Sequence, residues 1–203
     1  MTPRSLEQIR WIYRLLKNID QAPPRFRCFG LHEWAMVYHA SSQDRRHSSF
    51  PLRLSPSEIA QVVDDSNLNC THFDAFRFFT KAATPLNSCH PSLDSRLDLE
   101  QPGCIHTNMD LYKWAYKLTP WIPGELIVDS FDLAAHAREI DMRASPYDLR
   151  ELGFPPICIE TIQGKQEYEH LQRTISAQAA HLREKIIHSV DLLINLSLNE
   201  SQT

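Results

Sequence analysis

Glycine is scarce in this chain, with 5 in 203 residues against 13 prolines. Folds with many tight hairpin turns draw heavily on glycine, so this balance argues against a β-sandwich and for helices joined by stiff connections. Neither sign of charge is in large excess: 21 Lys and Arg stand against 25 Asp and Glu, a formal net charge of −4. That weighs against an extended duplex-binding face and leaves only a local basic patch open. No apolar run approaches the roughly 18 residues of a membrane span. The opening MTPRSLEQIRWIYRLL is charged throughout and does not read as a signal peptide. A cytoplasmic protein without membrane contact is expected. The 5 cysteines are odd in number and form no C-x-x-C pair, which supports neither a disulfide framework nor a zinc ribbon and fits reduced thiols. G-x-G-x-x-G, P-loop and G-x-S-x-G patterns are absent, which removes three common enzyme classes.

Helical periodicity fills most of the chain. Ser5 with Gln8 reads as a capping box opening a helix that carries Leu6, Ile9, Ile12, Tyr13 and Leu16, ended by Pro23-Pro24. RFRCFG reads as extended, and LHEWAMVYHA as helical. Ser55-Pro56 with Glu58 opens a further helix through Val63. The stretch HFDAFRFF, with Thr71 as its cap, fits a helix or a strand equally. Residues 81–99 form a long connection of the kind that is functional or mobile. A helix capped by Thr107, with Asp110 at its third position, follows. Glu125–Met142 is a helix with Leu126, Val128, Phe131, Leu133, Ala134, Ala137 and Ile140 as its stripe, and PPICIE is strand-like. The expected architecture is a mostly α, single globular domain over 1–203 with a few short extended segments. It divides into an N-terminal helix (1–24), a motif-bearing core (25–164), a long C-terminal amphipathic helix (165–196) and a frayed tail (197–203).

Three stretches share one texture: CFGLHEWAMVY from Cys28, CTHFDAFRFF from Cys70 and EQPGCIHTNMDLYKWAYKL from Glu100. Each sets a histidine, a carboxylate and aromatics within a few turns. His32 with Glu33, His72 with Asp74 and His106 with Asp110 are the materials of acid–base catalysis, and equally of a metal site. Their spacing matches no named metal motif, and Asp74 and Asp110 serve equally well as capping carboxylates at helix starts. Trp34, Phe73, Phe76, Tyr112, Trp114 and Tyr116 suit either a pocket stacking on a planar ligand or plain core. Arg77, Lys113, Lys117 and Arg143 are phosphate binders or ordinary surface charge. Cys104 precedes a helix start and His106 is near it, yet nothing else resembles a cysteine hydrolase, so an inert buried thiol is expected.

FRCFGLHEWAMVY, CTHFDAFRFFT, EQPGCIHTNMDLYKWAYKL and DMRASPYDL, in that order over residues 25 to 185, resemble the blocks of a bacterial family labelled 3-methyladenine DNA glycosylase. The resemblance implies an N-glycosylase-type hydrolase that flips an alkylated purine out of DNA in base-excision repair, working without a cofactor. It also implies relatives that run further at the N-terminus, with Met1 beginning a shortened form. Applied to this sequence, Asp110 or Glu33 would stabilise an oxocarbenium-like transition state or activate water, and His72 and His106 would orient or protonate. Trp34, Tyr112 and Trp114 would hold the base, with Asp74, Arg77, Lys113 and Arg143 as further substrate contacts. Phosphates would meet Arg45, Arg46, Arg77 and Lys113, and the partner would be damaged DNA or a purine-like small molecule. The alternatives are an enzyme holding a divalent metal such as iron, zinc or manganese through His32, Glu33, His72, Asp74, His106 and Asp110, and a non-catalytic binding or scaffold protein.

Overall fold

A computed structural model describes residues 2–41, 43, 45, 47 and 49–200, with side chains described as far as 197. The first helix, α1 (Pro3–Gln21), begins one turn earlier than its Ser5 pattern suggests. Thr2 is extended and its hydroxyl accepts from the Ser5 amide at 3.1 Å, while Pro3 takes the first turn, where its missing N–H costs nothing. Ile9, Ile12, Leu15, Leu16 and Ile19 form its buried face. Residues 27–30 turn where extended chain was expected. Phe29 (φ +47°) and Gly30 (φ +73°) reverse the chain into the short α2 (Leu31–Ala35). Gly30 is required by space as well: a Cβ there would lie 3.1 Å from Ala144 Cβ and 3.3 Å from the Tyr168 ring.

The capping box of Ser55 and Glu58 opens α3 (Pro56–Asp64) as expected. HFDAFRFF yields only one turn, α4 (Phe73–Phe76), and His72, not Thr71, is its N-cap. The connection at 81–99 is pinned. Buried Asn87 accepts from Cys70 N and donates to Cys70 O, both at 2.8 Å, and the segment ends in α5 (Arg96–Leu99).

The turn ahead of α6 (Ile105–Lys117) is built from buried amides. Gln101 Oε1 accepts from the Arg25 and Gly103 amides at 2.8 Å each, and Gln172 Nε2 donates to Gly103 O at 2.6 Å. Asn108 joins Pro102 O to the Arg183 guanidinium, each at 2.9 Å. Helix α7 (Gly124–Ala144) packs on α6, and α8 (Ile162–Glu200) lies against α1, α6 and α7. On α7 the stripe narrows, because Val128 and Phe131 are exposed. PPICIE forms no strand; Ile157 and Ile159 are buried in an irregular segment. Residues 197–200, expected to fray, continue the helix.

The result is a mostly helical single domain with a long C-terminal helix. Among the described residues no helix is long and apolar enough to cross a membrane.

Candidate metal centre

Each short element delivers polar side chains to one buried region. His32 comes from α2, His72 from the start of α4, Arg96 and Glu100 from α5 and its C-cap, His106 and Asp110 from α6, and Arg138 and Asp141 from α7. The His106 ring sits between the other two imidazoles. It meets His32 edge-on at 4.3 Å between centroids and stacks on His72 at 5.4 Å. His32, His72, His106 and Asp110, which stand far apart in sequence, therefore converge.

The cluster has two halves. In the first, His32 Nε2 lies 2.9 Å from Asp141 Oδ1, and His106 Nε2 lies 3.8 Å from Asp141 Oδ2. One donor atom from each of the three residues falls within 4.8 Å of the others. The 2.9 Å contact is a buried ion pair of hydrogen-bond length whose angles depart from those of a hydrogen bond. The other Asp141 oxygen accepts from Arg138 at 3.1 Å, and the same guanidinium nitrogen reaches Glu33 at 3.2 Å. On the far edge of His32, Nδ1 lies 3.6 Å from Cys28 Sγ.

In the second half, His72, Glu100 and Asp110 also bring three donors within 4.8 Å. There the carboxylates are already matched by protein cations. Arg96 Nε donates to Glu100 at 2.7 Å, its Nη2 to Asp110 at 3.1 Å and its Nη1 to Asp74 at 3.3 Å. Lys113 donates to Asp74 at 3.0 Å and also to Asp110, and His72 Nε2 lies 3.1 Å from Asp110. An ion here would share its oxygens with two fixed positive charges.

Electrostatics separate the groups further. Burial lowers the His106 pKa to about 3, helped by the His32 charge, so this imidazole is neutral at ordinary pH. Burial opposes the charged form of His32 too, but Asp141 outweighs it and raises the pKa well above 6.5. Asp141 would be raised by burial, yet His32, His106 and Arg138 hold it well below the usual carboxylate range. Asp110 follows the same pattern, with His72 and Lys113 overcoming burial to hold it at about 2. Burial wins at Glu100 and pushes it up against His72 and Arg96.

The remaining expected residues sort clearly. Asp110 is no cap: Cys104 is the N-cap of α6, which places Asp110 in the second turn, and Thr107 lies inside the helix. Trp34 is fully buried and donates Nε1 to Ala144 O at 2.9 Å, so it anchors α2 to α7 and faces no ligand. Trp114 is also buried, edge-on to Trp11 at 5.4 Å, and its ring carries Lys113 at 4.4 Å and Arg96 at 5.2 Å. Tyr112 packs against Phe131 and Tyr116 on the outer side of α6 and α7. Arg143 binds Pro155 O at 3.0 Å and fastens the 154–158 segment to α7. Arg77 pairs with Asp74 at 3.3 Å on the surface. Glu33 and Asp74 touch the cluster only through Arg138, Arg96 and Lys113. Arg46 lies outside the described residues. Cys104 is buried with its thiol pushed up to about 12, so it is no nucleophile.

Sequence reasoning missed Asp141, Arg138, Arg96 and the Glu100 carboxylate. Asp141 had a signal, as the charged residue on the stripe of Leu133, Ala137, Ile140 and Ala144; Arg96, in an irregular connection, had none. Comparison with profiles of known protein families, with curated proteins and with solved structures finds no match to this chain.

Proposed function

We propose that this protein is an enzyme that acts on a small molecule with a divalent transition-metal ion held by His32, His106 and Asp141. The observation that carries this reading is the convergence of one donor atom each from His32, His106 and Asp141 within 4.8 Å, with His32 Nε2 2.9 Å from Asp141 Oδ1 in a region sealed from solvent. Two ligand atoms, each roughly 2.1 Å from one ion at a right angle, stand about 3 Å apart, so an ion that displaces the His32 proton fits between them. Two imidazoles with one carboxylate suit iron, zinc or manganese and leave coordination positions for water and substrate. Bound there, the ion supplies Lewis acidity and a water acidified towards neutral pH.

The surrounding side chains have defined work in that reaction. Arg138 fixes the second oxygen of Asp141, which holds the carboxylate in one orientation. His106 is neutral and keeps a lone pair available. His72, stacked on His106 and bonded to Asp110, is placed to accept or return a proton beside the centre. Arg96 and Lys113 both donate to Asp110 and hold in place the carboxylate that His72 meets. The Tyr168 hydroxyl is fully buried without a hydrogen-bond partner, and burial, with the Asp141 charge, pushes its pKa well up.

Excision of an alkylated purine, which the sequence resemblance implies, calls for open aromatic faces around a base. Trp34 and Trp114 lie within the core, so the weight falls on the metal-centred reading. Elemental analysis of purified protein tests it. About one ion per chain is expected in the wild type, falling steeply in His106→Ala, which removes a ligand while leaving Asp141 and Arg138 paired. Protein that stays metal-free after exposure to iron, zinc and manganese salts would refute the proposal.

A further inference from the structure

We infer that the cleft behind His32 binds a small phosphorylated molecule. The cleft, of about 750 Å³, lies between the 24–29 link, the 67–71 segment, Ser88-Cys89 and α8. That volume is in the range of pockets for organic ligands, roughly 300–1,000 Å³, and far exceeds a bare anion. Three arginines, Arg25, Arg27 and Arg173, are among its lining residues against one acidic residue, Glu169. Arg173 is engaged, bound to Glu169 at 2.7 Å and lying over the Phe26 ring at 4.0 Å. Among the described residues no carboxylate pairs with the Arg25 or Arg27 side chains, in a chain whose net charge is −4.

Two unpaired guanidiniums on one wall match a doubly charged phosphate better than a singly charged carboxylate, and their planar forks bind it in pairs of hydrogen bonds. The wall is rigid where they leave it. The Arg25 amide and carbonyl are held by Gln101 at 2.8 and 3.2 Å, and a Cβ on Gly103 would lie 2.7 Å from Arg25 N. Asn67, Asn69 and Ser88 also line the cleft; Ser88 donates to Asn69 at 2.6 Å and Asn69 to Asn67 O at 3.2 Å, a polar border beside a hydroxylated body. At the floor, Cys28 touches the outer edge of His32. Phosphate binding here does not depend on the metal reading; only its communication with the centre through Cys28 and His32 rests on that reading.

Calorimetric titration of chelator-treated protein with inorganic pyrophosphate, ribose 5-phosphate and ribose tests the site. Saturable binding of both phosphate compounds and none of ribose is expected. Arg25→Gln and Arg27→Gln should each weaken it about tenfold, the value of one charge-assisted contact, with unchanged melting because both side chains are exposed. Absence of saturable binding by either phosphate compound, or equal binding by the double variant, would overturn the inference. Binding that appears only after metal is restored would place the anion on the ion and overturn it as well, whereas metal-independent binding with no metal uptake would leave this cleft standing and remove the metal centre.

Discussion

Asp141→Asn is the sharpest test of the centre, because this one carboxylate faces His32, His106 and Arg138 from a fully buried position. Removing one partner of a buried ion pair costs about 3–5 kcal/mol where the stranded charge has no escape. Here it has two: His32 can lose its proton, and Arg138 is 41% exposed and keeps Glu33. The variant should therefore fold and melt lower than wild type, so the reading lies in what added metal does. An ion at about 100 times its dissociation constant stabilises by about 2.7 kcal/mol. At this chain length each kcal/mol moves the melting point by roughly 2–4 °C, so wild type should gain roughly 5–10 °C. With the charged ligand gone and affinity reduced about a hundredfold, the gain should shrink to roughly 1–2 °C.

The pH dependence adds a second, independent reading. In metal-free protein the raised pKa of His32 gives stability that is fully present below about 6.5 and lost as pH rises through the raised value. His106, depressed to about 3, acts oppositely and loses stability as pH falls from about 6.5. The metal-free protein should thus be most stable near pH 6.5. The ion must displace the His32 proton, so the increment it adds should grow from pH 6 to pH 8. Melting curves of wild type and Asp141→Asn at pH 6, 7 and 8, with and without each ion, measure both effects. An increment of equal size in the variant, or one that shrinks towards pH 8, would refute the ligand assignment.

Asp110→Asn should cost about 1–2 kcal/mol near neutral pH. Its carboxyl is held at about 2, so that stability is present above about 3.8 and lost as pH falls through 2, and acid melts of the variant should lack this slope. Trp34→Phe removes the bond to Ala144 O and should lower stability by about 1–2 kcal/mol while leaving ligand binding unchanged, which chemical denaturation and calorimetry check together. Gly103→Ala drives a Cβ into the Arg25 backbone and should destabilise by about 1–3 kcal/mol and weaken pyrophosphate binding, as the Arg25 wall must shift.

The parts legible in the sequence were those fixed by local chemistry. The Ser55–Glu58 capping box, the prolines that end α1 and the periodicity of α8 each depend on residues within a few positions of one another. The three stretches of shared texture supply His32, His72, His106 and Asp110 to one buried region, because each sets its polar residues among aromatics and such residues are buried only with partners. The partners were harder to see. Arg96 sits in a segment without periodicity, and its place between Glu100, Asp110 and Asp74 follows from Asn87 pinning the chain to Cys70, a contact across 17 residues. Asp110 misled for a related reason. Thr107 looks like a cap, but the helix starts earlier at Ile105, where Gln101 and Asn108 order the preceding turn through contacts to Arg25 and Pro102.

That earlier start decides the chemistry of the site. A helix beginning at Thr107 would put Asp110 in the first turn, beside free amides that satisfy it. Beginning at Ile105, the helix carries His106 in its first turn and Asp110 one turn on, so both project from one side towards His32 and His72. The buried amides of Gln101, Asn108 and Gln172 are thus positioning residues for the centre as much as packing for the core. A loss of any one should reach the proposed metal ligands through the register of α6 before it reaches global stability. Hydrogen exchange of the α6 amides in a Gln172→Met variant, compared with its metal affinity, separates the two. Faster exchange confined to the first turn together with weaker metal binding fits this account, and uniform faster exchange with unchanged affinity contradicts it.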